Sequence, residues 1–276
     1  LGNCGLSPDG SRLAVDIDDD ASGNTDIWVF DLTRGVKTRL TFDPAADMSP
    51  VWSPDGRQIY FASSRTGKFD IYRKNSSGTG EEELVIESKA SKWPISLSSD
   101  ARTLIVYGLG DKGIGDDIWS LPLDPETGAA AGELTPFQQT EFDEDDAHLS
   151  PDGRWLAYAC NETGRYDVYV RPFPGPGGKW QISTTGGDFP AWRSDGRELY
   201  YISAEGMAMA VEVDGAGASL DAGEPRPLFP ASALNSNLPW AVSGDGQEFI
   251  LVTRGQGTAS STINVIVNWN AEIEDR

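Results

Sequence analysis

Short apolar runs separated by polar turn residues recur along the whole chain. The runs are Leu13-Ala14-Val15, Ile59-Tyr60-Phe61, Leu104-Ile105-Val106-Tyr107, Trp155-Leu156-Ala157-Tyr158, Leu199-Tyr200-Tyr201 and Phe249-Ile250-Leu251-Val252. They are rich in β-branched and aromatic residues and too short for helices, so they predict strands. One turn signature precedes each run. It reads Ser7-Pro8-Asp9-Gly10, Ser53-Pro54-Asp55-Gly56, Ser98-Ser99-Asp100-Ala101, Ser150-Pro151-Asp152-Gly153, Arg193-Ser194-Asp195-Gly196 and Ser243-Gly244-Asp245-Gly246. Proline fixes φ, aspartate bonds its own turn backbone and glycine takes positive φ, which together specify a tight hairpin.

The spacing between successive turn aspartates is 46, 45, 52, 43 and 50 residues. A second strand follows in four repeats as Asp26-Ile27-Trp28, Asp70-Ile71-Tyr72, Asp117-Ile118-Trp119 and Asp167-Val168-Tyr169, and degrades to Met207–Val211 and Ile263–Val267 in the last two. Further strands are expected to end near Leu40-Thr41, Leu84-Val85, Leu134-Thr135, Ile182-Ser183 and Leu228-Phe229. Trp52, Leu97, Leu149, Trp192 and Val242 hold one shared offset before the turns. Four strands per unit, with no helical stripe, predict sheets that pack face to face around a ring. The expected fold is therefore all-β, a single six-bladed β-propeller of four-stranded antiparallel blades. The blades are placed at approximately 1–43, 44–87, 88–138, 139–184, 185–230 and 231–276. The last repeat supplies three strands, which predicts an incomplete final blade or an edge open to a partner strand.

The Ser-Pro-Asp-Gly turn, the Ser63-Ser64-Arg65-Thr66-Gly67 loop and Asp70-Ile71-Tyr72 resemble the TolB-type, WD-like propeller repeat, over essentially the whole chain. The segment from Val170 to Ser183 and the closing Ile266-Val267-Asn268-Trp269 resemble the C-terminal sensor propellers of bacterial membrane-anchored serine/threonine kinases. The resemblance implies an extracytoplasmic place, periplasmic or at the cell surface, and an upstream kinase and membrane helix.

Composition narrows the partners. The chain has 43 acidic against 22 basic residues, a formal net charge of −21, and such a field repels phosphate backbones and anionic lipid. Nucleic acid and membrane insertion by this segment are excluded as expectations. A protein or peptide, or a small neutral or cationic ligand or glycan, remains. No run approaches the roughly 18 apolar residues of a membrane helix. The chain lacks an initiating Met and a secretory leader, so a piece of a longer protein is expected. Cys4 and Cys160 fall in blades one and four, which predicts no bridge between them.

Candidate chemistry is sparse. Gly108-Leu109-Gly110-Asp111-Lys112-Gly113 matches a dinucleotide fingerprint in letters, but a strand is expected after it where a helix N-terminus is needed. Asp16-Ile17-Asp18-Asp19-Asp20 resembles the start of a calcium loop, yet Ala21 and Ile27 stand where Gly and Glu belong. No cofactor is expected, and a weak surface Ca2+ site is the most this run suggests. His148 is the single histidine, too few for the usual propeller metal or hydrolase sets, and is read as packed or lining the channel. Loops from every blade converge where the inner strands begin. The candidate ligand site is therefore the ring Asp47, Lys92, Trp93, Asp145, Asp146, His148, Asp188, Phe189, Asn237 and Trp240, with no catalytic residue assigned. A non-catalytic binding or sensor propeller is the expected function, attached to a signalling kinase. A TolB-like periplasmic interaction scaffold is the first alternative, and a carbohydrate lyase or peptidase-associated propeller the second.

Overall fold

A computed structural model describes residues 4–19, 23–109, 115–231, 240–254 and 261–267 of the chain. Its strands fall in the order the repeats predict. The first blade is β1 (Cys4–Leu6), β2 (Arg12–Asp19), β3 (Asn24–Asp31) and β4 (Val36–Arg39). The second is β5 (Asp47–Trp52), β6 (Gln58–Ser63), β7 (Asp70–Asn75) and β8 (Glu83–Ile86). The third is β9 (Trp93–Leu97), β10 (Thr103–Leu109), β11 (Asp116–Pro122) and β12 (Thr135–Gln138). The fourth is β13 (Glu144–Leu149), β14 (Trp155–Cys160), β15 (Asp167–Pro172) and β16 (Trp180–Gln181). The fifth carries an extra strand: β17 (Gly187–Trp192), β18 (Glu198–Ser203), β19 (Met207–Asp214), β20 (Asp221–Ala222) and β21 (Arg226–Pro230), the last two both pairing β19. The final sheet is β22 (Trp240–Val242), β23 (Glu248–Arg254) and β24 (Ser261–Val267).

The protein is thus an all-β propeller with five complete blades and a partial sixth sheet of three strands among the described residues. All pairings are antiparallel between chain neighbours, apart from the added β19–β21 pair. Six apolar clusters lie one between each pair of adjacent sheets. The last joins Leu13 and Val15 of the first blade to Ala241 and Ile250 of the final sheet, so the ring closes by packing. Each blade buries both faces, because Ile59, Tyr60 and Phe61 in succession are all buried, as are Leu156, Ala157 and Tyr158. That is why the second strands read as unbroken apolar runs.

One expected strand is displaced. The third blade's outer strand was expected to end near Leu134-Thr135 and instead begins at Thr135. Residues 123–131 form an additional small hairpin, closed by the Leu123–Ala130 bridge, which folds back onto the second blade. Strands β10 and β11 flank the glycine-rich motif on both sides, so no helix follows Gly108.

Candidate functional site

The inner strands β5, β9, β13 and β17 each carry a bulge, between Met48 and Val51, at Ile95, between Asp145 and His148, and between Asp188 and Ala191. In three of these bulges the residue at the shared position is left-handed: Ser49 at φ 57°, Asp146 at 49° and Phe189 at 55°. A bulge re-aims a side chain that the period of two would send into the blade. All three residues line a central cavity of about 400 Å3 that runs down the channel to the turns at Pro8, Pro54 and Pro151. The backbone is fastened there by indoles. Trp52 Nε1 donates to the Gly5 carbonyl at 2.8 Å, Trp192 to His148 at 3.0 Å and Trp240 to Phe189 at 2.9 Å, each reaching the preceding blade.

Where the inner strands begin, aromatic rings and carboxylates lie side by side. Trp93 stacks between Phe69 and Tyr107, with ring centroids 5.2 and 5.3 Å apart, and all three rings are half-buried. The next blades contribute carboxylates. Asp145 is pushed up to about 6 by burial, reinforced by Asp188, Asp116 and Asp143. Burial and the neighbouring Asp145 and Asp188 raise Asp146 well above the usual carboxylate range. Asp188 and Asp116 are raised too, chiefly by burial. The phenols of Tyr107 and Tyr166 are raised by burial and by these same aspartates, which places both rings beside the cluster. Like charges this close share protons rather than ionise independently.

The predicted ring therefore divides. Asp145, Asp146 and Asp188 gather across two blades, while Asp146, His148, Phe189 and Trp240 share the cavity wall. Burial drops the His148 imidazole to about 4, leaving it neutral at pH 7. Trp93 sits in the aromatic row. Lys92 and Asp47, by contrast, are built into their blades. Lys92 is 3% exposed, lies over the Trp119 ring at 4.7 Å and donates to the Leu109 carbonyl at 2.9 Å. Asp47 is fully buried and meets Arg65 at 3.3 Å. Both stand six residues before the serine of the turn, Asp47 at the first residue of β5 and Lys92 just before β9. Asn237 lies outside the described residues. Sequence reasoning missed Phe69, Tyr107, Asp116 and Tyr166, which reach the funnel from the second and third strands and the loops between them, whereas Asp143 belongs to the acidic run Glu141–Asp146, which the sequence places at a channel mouth. Their signal was an acidic and aromatic bias in the loops on that one side of the ring.

The repeated aspartates serve their blades, as expected. Asp70 accepts from the Ser88 amide at 2.8 Å and Lys68 at 2.9 Å, and Asp167 from Thr163 at 2.7 Å and Ser183 at 2.9 Å. Of the calcium-like run, Asp16 is buried and accepts from the Ser49 amide at 3.1 Å, and Asp18 accepts from Thr25 at 2.8 Å. Asp20 lies outside the described residues. Among the described residues no group of three His, Cys, Asp or Glu side chains is placed as metal ligands, and no helix is long and apolar enough to cross a membrane.

Ring, bulged inner strands and central cavity define a β-propeller, and comparison with known proteins shows which propellers it is similar to. Residues 2–118 match the family described as TolB beta propeller domain. An uncharacterized protein of Agrobacterium fabrum is 36% identical over 103 residues, 37% of this chain and 34% of that protein. The Tol-Pal system protein TolB of Helicobacter pylori is 30% identical over 88 residues, 32% of this chain and 21% of that protein. These matches span about a third or less of the relatives' length. Among solved structures, TolB from Acinetobacter baumannii superposes with a TM-score of 0.71 at 17% identity, covering 94% of this chain and 61% of that one. An oligogalacturonate lyase in complex with manganese superposes at 0.60 with 17% identity, covering 98% and 74%. Residues 2–118 thus carry the TolB-type repeat, and the chain as a whole has a β-propeller fold that proteins with enzymatic names also share.

Proposed function

We propose that this chain is a six-bladed, non-catalytic protein-interaction propeller, a scaffold of the TolB kind, which takes a cationic segment of a partner protein at its funnel. The observation that carries the reading is the funnel's composition: a half-buried row of Phe69, Trp93 and Tyr107 beside the carboxylates Asp116, Asp143, Asp145 and Asp188. Aromatic faces hold Lys and Arg by cation–π attraction, and a carboxylate cluster favours the same groups. The net charge of −21 steers such a partner inward at low salt. TolB recurs among both the sequence relatives and the solved structures, which favours the scaffold over the kinase-sensor expectation. An extracytoplasmic location goes with that reading. One histidine in the whole chain argues against lyase or hydrolase chemistry.

The test is calorimetry of the full chain with a lysine-rich peptide and its glutamate counterpart at two salt concentrations. Saturable binding of the lysine peptide alone is expected, weakened about tenfold by Trp93→Ala or by Asp145→Asn with Asp188→Asn. Equal binding of both peptides, or indifference to both variants, rules the funnel out.

A further inference from the structure

The channel beneath the funnel is a distinct place with its own chemistry. Its volume of about 400 Å3 lies within the roughly 300–1,000 Å3 of small-molecule sites. Toward the turn end its wall is apolar, made by Leu6, Val51, Trp52, Leu97, Leu149 and Trp192. Toward the funnel end it carries the Asp146 carboxyl, the His148 imidazole and Tyr107. The indoles of Trp52, Trp192 and Trp240 are each fixed by a hydrogen bond to the preceding blade, so the wall is formed before any ligand arrives.

The polar end has one sign of charge. Asp146 is held in a left-handed bulge, its amide bonded to Asp145 Oδ1 at 2.7 Å, and Asp188 and Asp145 are the neighbouring acids that act on its carboxyl. Asp116 and Asp143 lie around these acids, with the phenols of Tyr107 and Tyr166. His148, neutral at pH 7, adds no opposing charge. Lys92 acts on Asp116 but lies over Trp119, off the cavity wall.

We infer that the channel binds a small organic monocation with an apolar body, an ammonium on an aryl or alkyl group, whose nitrogen bonds to Asp146 and whose body lies against Trp52 and Trp192. The ammonium replaces the proton that burial and the neighbouring acids keep on Asp146: an N–H donates to the carboxylate oxygen and the displaced proton leaves to solvent. Binding therefore tightens as pH rises and releases protons. The amine site shares Tyr107 with the funnel but adds an apolar end at Trp52, Leu97 and Trp192 that the partner reading does not use.

The probe is 2-phenylethylamine, charged at neutral pH, against its neutral analogue 2-phenylethanol, titrated into the full chain by calorimetry in two buffers of different ionisation enthalpy. We expect saturable binding of the amine with buffer-dependent heat from proton release, and about tenfold or greater preference over the alcohol. Asp146→Asn should weaken it about tenfold, since asparagine tolerates the left-handed backbone. Leu97→Trp should block the apolar end without touching the acid, which guards against a general effect of the first variant. Leu97→Trp should also leave lysine-peptide binding unchanged, so the two proposals fail separately. No saturable heat, equal binding of amine and alcohol, or binding that Asp146→Asn and Leu97→Trp both leave intact overturns the inference.

Discussion

Ser53 shows how one side chain locks a turn. Its hydroxyl donates to Asp55 Oδ1 at 2.6 Å and accepts from the Gln58 amide at 2.8 Å, joining the turn to the next strand. The same pair of bonds recurs at Ser7, Ser98, Ser150 and Ser243. In the fifth blade Arg193 stands in place of serine, and its guanidinium spans Asp195 at 2.8 and 2.9 Å and Glu198 at 2.7 Å. The substitution keeps the turn aspartate bonded by other means. Ser53→Ala removes a donor from Asp55 and an acceptor from Gln58, and should cost about 1–2 kcal/mol. Urea unfolding checks this, with an unchanged slope and a lower midpoint.

Between elements, adjacent blades are tied by atoms that local periodicity does not predict. The added hairpin of the third blade docks on the second through the Tyr60 hydroxyl, which donates to the Gly128 carbonyl at 3.1 Å, and through Arg73, which donates to the Thr127 carbonyl. Gly128 has φ of +70°, and a Cβ there would lie 2.4 Å from the Tyr60 hydroxyl. Gly78 has φ of +80° with nothing within 4 Å of the same position. Gly128→Ala should therefore destabilise by more than the backbone strain of about 1 kcal/mol that Gly78→Ala carries. Thermal unfolding of the two variants side by side measures the difference, which is the contact between the second and third blades.

At the scale of the whole molecule, crowded acids set the pH response. Asp145 and Asp47 are each raised to about 6, and Asp146, Asp188, Asp116 and Glu144 are raised as well, all chiefly by burial. The folded state holds these protons more tightly than the unfolded chain does. Their stabilising contribution is fully present below the unfolded carboxylate range of about 4 and is lost as pH rises through about 6. His148, lowered to about 4 by burial, acts oppositely, losing its contribution as pH falls from about 6.5 towards 4. It is one group against several. The melting temperature is therefore expected to rise from pH 8 to pH 5. Asp146→Asn should flatten that rise, and a melting temperature that falls monotonically over this window contradicts the account.

The turn aspartates and apolar runs determined the propeller, because each hairpin and each doubly buried strand is specified by residues adjacent in sequence. The repeated Asp70 and Asp167 were legible as blade-internal for the same reason: recurrence in every unit marks a role within the unit. The three strands of the last sheet among the described residues were legible too. Tertiary structure alone decided the site. Lys92 and Asp145 stand one position apart in the alignment of repeats, yet one turns into its blade while the other joins the carboxylate cluster. The left-handed bulges at Ser49, Asp146 and Phe189, which no local residue preference dictates for phenylalanine, aim those side chains at the channel. A charge cluster assembled from Asp116, Asp145 and Asp188 exists only once three blades have closed around one axis, since the Coulomb terms that raise those acids depend on distance in space and not on position in the chain.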